Sequence, residues 1–140
     1  MPLFDTNDAS LLPPGDMPAR IAALCAASGR PLPEGPAVVV RSIMESLAAA
    51  YAKAITTVEE LAGVSVDTVN IVGGGSQNPL LCQLTADHTG RIVEAGPVEA
   101  TAIGNVLVQA RAAGLLSGSL EELRRLVADT HPPTRYRPRA

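Results

Sequence analysis

No tryptophan occurs in this chain, and one phenylalanine and two tyrosines are its entire aromatic content. That shortage excludes a surface on which successive nucleobases stack. The formal net charge of -3 removes the attraction that a phosphate backbone requires, so nucleic acid is not an expected partner. The basic residues that do cluster, Arg124-Arg125 and then Arg135, Arg137 and Arg139, read as solvated surface. Cysteine is scarce as well. Cys25 and Cys82 form neither a metal-type spacing nor a redox pair, and no His/Cys/Asp/Glu cluster has metal-ligand spacing. Two sparse cysteines suit a reducing cytoplasm, where a free thiol behaves as a small buried hydrophobe. There is no apolar run of the signal-peptide kind at the start, and no run of about 18 apolar residues that could span a membrane. The expectation is a cytoplasmic protein without a membrane partner.

What the chain has in quantity is small apolar residues, glycine and proline. Hydrophobic residues make up 46% of it, so a core is affordable, and with so few aromatics Ala, Val and Leu must fill it. Its 140 residues suit one domain better than two. Residues 1–20 are rich in Pro, Asp and Gly and read as extended chain and turns. A short helix is predicted over 18–28, stopped by Gly29. The longest helix follows, with Pro36 at a favoured first position and Gly63 just past its end. Val39, Ile43, Leu47, Ala50, Ala54, Val58 and Leu61 give it one apolar stripe. Val40, Met44, Tyr51 and Ile55 give it a second apolar side, which predicts a helix sandwiched between neighbours.

The β-branched residues Val66, Val69, Ile71 and Val72 predict a strand over 66–72. A helix over 79–89 and a strand over 91–95 complete a βαβ unit, expected to be parallel and right-handed. Gly96-Pro97 then turns the chain into a helix ending at Gly114. A last helix runs over 120–128 with Ser117 or Ser119 as its cap, and the tail from His131 reads as irregular. The class is α/β and helix-rich. Parallel sheets are normally covered on both faces, and two strands cannot cover the apolar sides of four or five helices. The expectation is of an incomplete domain, with an open strand edge and apolar helix faces that drive self-association.

Between the first strand and its helix lies Gly73-Gly74-Gly75-Ser76-Gln77-Asn78-Pro79. Asn78 is a favoured N-cap and Pro79 a favoured first helical residue. Three glycines make a bare backbone that is free to take positive φ and that a ligand approaches closely, beside the positive end of a helix. Ligands of open α/β sheets lie beyond the carboxyl ends of the strands, which is where this run falls. A glycine turn with no ligand is the alternative reading, and the motif alone leaves both open. It is not the dinucleotide fingerprint, because Asn78 occupies the sixth position, and it lacks the Gly-Lys-Ser/Thr ending of a P-loop. A Rossmann-type oxidoreductase would need an acidic residue after a second strand, and Glu94 stands about 20 residues on. That spacing alone admits the class; Asn78 opposes it.

The run IVGGGSQNPLLCQLTADHTGRIVEAGPVEATAIGNVLVQARAAG, Ile71 to Gly114, resembles the C-terminal domain of the L-rhamnulose kinases (rhamnulokinases) of the FGGY sugar-kinase family. The combination GGGSQN, ADHTG and GPVEATAIGN carries the likeness. It extends upstream through DMPARIAALCAASGRPLPEGP and ESLAAAYAKAI, and downstream to the Pro-Thr-x-Tyr-x-Pro tail at 133–138, so that it covers essentially all of residues 1–140. The resemblance implies a C-terminal portion of a ribonuclease H-like, actin-like nucleotide-binding domain, with sugar and ATP meeting in a cleft between two domains. It implies nucleotide contacts at the glycine turn Gly73, Gly74 and Gly75, chiefly Gly74, with Asn78 at the same site and Gln77 beside it. ATP or ADP would be the nucleotide, and Mg2+ would arrive with it. The catalytic Asp, the N-terminal phosphate-contacting motif and the sugar-binding residues belong to parts of such kinases outside this chain. Some relatives carry a second cysteine where Ser42 stands, which would pair with the position of Cys25; that disulfide cannot form here. A non-catalytic binding or oligomerisation module remains the competing class.

Four further residues bear on the reading. Asp87 lies in the last turn of a helix, the unfavourable end for an anion, and a structural role is preferred for it: bonds to the backbone of the next turn, or a contact with a missing segment. Glu99 is expected at the third helical position after Gly96, serving the dipole. Gly104 sits mid-helix at a cost of about 1 kcal/mol against Ala, which close packing would offset. His88 follows Asp87, but adjacent helical residues diverge, so they are not read as a catalytic pair.

Overall fold

The computed structural model describes residues 1–139. The chain forms five α-helices and one three-stranded sheet among these residues: α1 Met17–Ala27, α2 Pro36–Ala62, β1 Thr68–Ile71, α3 Pro79–Thr89, β2 Ile92–Ala95, α4 Ala100–Ala112, α5 Leu120–Thr130 and β3 Thr134–Tyr136. The helix ends follow local chemistry. Asp16 caps α1 by accepting from Ala19 N at 3.2 Å. Pro36 opens α2, and Gly63 closes it in the left-handed region at φ +64°. Of the two candidate caps for α5, Ser119 is the one used, in a reciprocal capping box with Glu122.

β1 and β2 pair in parallel, Thr68 with Ile92 through Ile71 with Ala95, so the βαβ unit stands. β1 is shorter than the predicted 66–72. Val66 lies before it, its N–H donating to Glu59 Oε1 at 2.8 Å, and Val72 already leads into the glycine turn. The tail is not irregular. Thr134–Tyr136 adds an antiparallel edge strand to β2, with Tyr136 opposite Val93, Arg135 opposite Glu94 and Thr134 opposite Ala95. Thr and Tyr favour strands, the cross-strand pair Glu94–Arg135 is of opposite charge, and Pro133 and Pro138 lie outside the paired residues, where a missing N–H costs nothing.

The small core fits the composition. Cys82 and Ala86 of α3 pack with Val93 and Ala95 of β2, and Val69, Ile71 and Tyr136 close over them. Burying Leu81 and Leu84 of α3 is worth about 1.5–3 kcal/mol each. α2 packs chiefly on α3. Its fully buried residues are the small ones, Ser42, Ser46 and Ala48, because the chain's first residues run across it: Ser42 Oγ donates to Pro2 O at 2.7 Å and Phe4 N donates to Ser46 Oγ at 3.2 Å. Cys25 Sγ and Ser42 Oγ lie 4.0 Å apart, both buried, so the two positions meet with only one thiol between them. The two-sided cover expected over α2 is partial: α3 lies on one side, and α1 and the chain's first residues lie on another. Val40, Tyr51, Val58 and Leu61 stay exposed, Leu61 at 84%. α4 buries no residue, and an added Cβ at Gly104 would meet nothing, so the close packing expected there is absent. α4 begins at Ala100, which makes Glu99 its N-cap residue, not an interior one, and the Glu99 side chain makes no cap bond. Among the described residues no helix is long and apolar enough to cross a membrane.

A glycine turn at the carboxyl ends of the parallel strands

Beyond Ile71 the glycine run winds into one turn of 3-10 helix, Gly73–Gln77. Gly73 is the residue that requires glycine's freedom, at φ +75°. Gly74 and Gly75 lie outside the positive-φ set, so the turn needs a left-handed residue at one position only. The turn is braced. Gly73 N donates to Pro97 O at 3.2 Å, Gly96 N donates to Ile71 O at 2.8 Å, and Ser76 Oγ donates to Gly73 O at 2.7 Å. The loops that leave β1 and β2 are thereby tied side by side. Below them the Cys82 thiol faces the Gly75 and Ser76 carbonyls at 3.8 Å, and burial pushes its pKa up.

The five residues singled out in the sequence lie together on this turn but are not equivalent. Gly74 is exposed, and a Cβ built on it would meet nothing within 4 Å. A Cβ on Gly75 would sit 3.7 Å from Ile71 Cγ2, an ordinary contact. Gln77 is exposed. The Asn78 side chain is engaged within the chain: its Oδ1 accepts from Leu81 N at 3.1 Å, and its Nδ2 lies 3.5 Å from Met44 Sδ of α2. It caps α3, a bond whose loss costs about 1 kcal/mol, and it fastens the helix start to α2. Open clefts flank the turn on two sides. One of about 410 Å³ lies between Ser76, Gly96, Pro97 and the tail residues His131 and Thr134. The other, of about 480 Å³, runs along Tyr51, Ile55, Val69 and Val72 to Gly75.

The adjacent Asp87 and His88 of α3 take different partners. His88 Nε2 meets Glu45 Oε2 of α2 at 2.7 Å, while Asp87 binds the tail through Arg139. Burial alone would raise Glu45, but bonds from His88 and Arg41 outweigh it and hold its pKa low. The Arg139 guanidinium, with help from the Arg139 N–H and Gln83, holds Asp87 down to about 2. The structural role preferred for Asp87 is found, with a partner that sequence reading did not supply: the tail had been read as irregular, so nothing placed Arg139 near it. Glu94 of β2 pairs with Arg135, leaving no free acid at the position a ribose would need. Among the described residues no group of three or more His, Cys, Asp or Glu side chains could hold a metal ion.

A helix-rich chain around a small mixed sheet, with a glycine turn between a parallel strand and its helix, belongs to the α/β class. The chain belongs to the FGGY family of carbohydrate kinases: the model of that family's C-terminal domain matches residues 1–113. It is 39% identical to a rhamnulokinase of Halalkalibacterium halodurans over 132 residues, which is 94% of this chain and 28% of that protein. A rhamnulokinase of Klebsiella pneumoniae strain 342 is 39% identical over 136 residues, 97% of this chain and 28% of the relative. One from Ligilactobacillus salivarius is 42% identical over 111 residues, 79% of this chain and 23% of the relative. The chain thus spans about a quarter of the length of these relatives.

Proposed function

We propose that residues 1–140 form the C-terminal portion of the ribonuclease H-like nucleotide-binding domain of a sugar kinase. That kinase transfers the γ-phosphate of ATP to L-rhamnulose, giving L-rhamnulose 1-phosphate and ADP. The observation that carries the reading is the open backbone at Gly74, exposed at the carboxyl end of β1 on a turn whose neighbours Gly73 and Ser76 are held by hydrogen bonds. Gly73, Gly74 and Gly75 approach the nucleotide through the main chain, Gln77 lies at its rim, and Asn78 holds the helix start that faces it. The sugar is taken from the names of the relatives. Mg2+ arrives with ATP, and the base that accepts the sugar's proton lies outside these residues. Two free, buried cysteines suit a reducing cytoplasm as the place of action. Titration of ATP into the labelled chain, followed by amide NMR, tests the reading. Shifts centred on residues 73–78 are expected. Their absence would favour a non-catalytic binding or assembly module.

One observation favours that second class in part: the apolar exposure of Leu61, Val58 and Tyr51 on α2, together with an outer edge of β1 that is unpaired among the described residues. An open edge offers unpaired N–H and C=O groups. The isolated chain is therefore expected to self-associate through strand region 66–72 or helix region 37–62, a symmetric dimer being the commonest form. Light scattering over a concentration series checks this, and a monomer at high concentration would refute it.

A further inference from the structure

The C-terminal residues 131–139 form a strap with two jobs that the glycine turn does not explain. At one end, His131, Pro132 and Thr134 line the cleft of about 410 Å³ opposite Ser76, Gly96 and Pro97. A Cβ on Gly96 would lie only 3.9 Å from Pro133 Cα, so the strap rests directly on the loop that braces Gly73. At the other end the strap reaches the C-terminal turn of α3. There Asp87 accepts from Arg139 N at 2.9 Å, Arg139 Nη2 at 2.7 Å and Arg139 Nε at 3.2 Å. Gln83 Nε2 bridges the same place, donating to Asp87 Oδ1 and to Arg137 O, each at 2.8 Å. Between the two ends only three residues pair with β2.

A three-residue edge strand is short for independent pairing. His131 N donates to Val127 O at 2.8 Å at the strap's cleft end and Arg135 pairs with Glu94 at its middle, while the stretch beyond Tyr136 is held by Asp87 and Gln83. The placement of Asp87 does not serve α3 itself, since a carboxylate opposes the dipole at a helix C-terminus. The helix carries it in spite of that cost, and every polar partner it has except Gln83 is on the strap. We propose that Asp87 is a positioning residue for nucleotide binding: by holding the far end of the strap, it keeps the His131–Thr134 corner in place as one wall of the cleft beside the glycine turn. This rests on the assignment of that turn to the nucleotide.

The test uses a kinase of full length with this chain as its C-terminal portion. Asp87→Ala and Arg139→Ala should each raise KM for ATP about three- to tenfold, the range of coupling through a packed element. kcat and KM for the sugar should change less than about twofold, and the double variant should be no worse than either single one. Arg139→Lys, which keeps the backbone bond and the charge, should restore most of the affinity. Hydrogen exchange must show faster amides at 134–136 in the Ala variants and unchanged amides in α3, which separates a loosened strap from a failed fold. Unchanged exchange at 134–136 overturns the anchor. Faster exchange with an unaltered KM for ATP overturns the positioning role while leaving the nucleotide site standing. If Gly74→Val also leaves KM for ATP unaltered, the nucleotide assignment falls, and this proposal with it.

Discussion

Gly74→Val in the full-length kinase is expected to raise KM for ATP about 10- to 100-fold, because forcing a branched side chain into a close contact costs about 1–3 kcal/mol. The turn should survive the change. Gly74 is outside the positive-φ set, and a Cβ there enters open space, so the backbone tolerates the side chain when no ligand is present. The space it fills is the space assigned to the nucleotide. Gly73→Val is the instructive contrast. At φ +75° the strain is intramolecular, about 1–2 kcal/mol, and should appear as lost thermal stability whether or not ATP is added. Steady-state kinetics with ATP as the varied substrate, beside thermal melts, separates the two. An unchanged KM for ATP in Gly74→Val would remove Gly74 from the site.

The isolated chain should show no sugar phosphorylation. Phosphoryl transfer is catalysed by positioning and by electrostatic stabilisation of the transferring group, with a base aligned on the attacking hydroxyl. In the proposed role the turn gives main-chain contacts to one side of a nucleotide only. Glu94 is paired with Arg135 and Asp87, at the other end of α3, with Arg139, while Glu99 lines the cleft beside the turn. ADP release with L-rhamnulose, followed by a coupled assay, should match the enzyme-free rate. Sugar-dependent turnover would mean that a base among these residues has been overlooked.

Much of the local structure was legible because its determinants are local. Pro36, Gly63, Asn78, Pro79 and Gly90 mark helix ends by constraints on their own φ or by bonds to the next turn, and each acts where the sequence put it. The glycine run was visible as a site for the same reason. Its inner order was not. That only Gly73 takes a positive φ depends on the bond from its N–H to Pro97 O, and Pro97 is on the far side of α3 in sequence. Asn78 was readable as a cap, whereas its second partner, Met44, comes from another helix.

The sequence by itself determined the elements that short-range chemistry governs: most helix boundaries, the parallel βαβ unit and the glycine turn after β1. Tertiary structure decided what depends on pairing between distant segments. Thr134–Tyr136 has a strand's residue types, but three residues between prolines form a strand because β2 offers a free edge and Glu94 pairs with Arg135 across it. The apolar sides of α2 were equally plain in the sequence, yet which of them is buried was settled by α3 and the first residues of the chain packing against it, leaving Leu61 and Val58 uncovered. Periodicity records that a face is apolar, and burial is a property of whatever lies opposite that face.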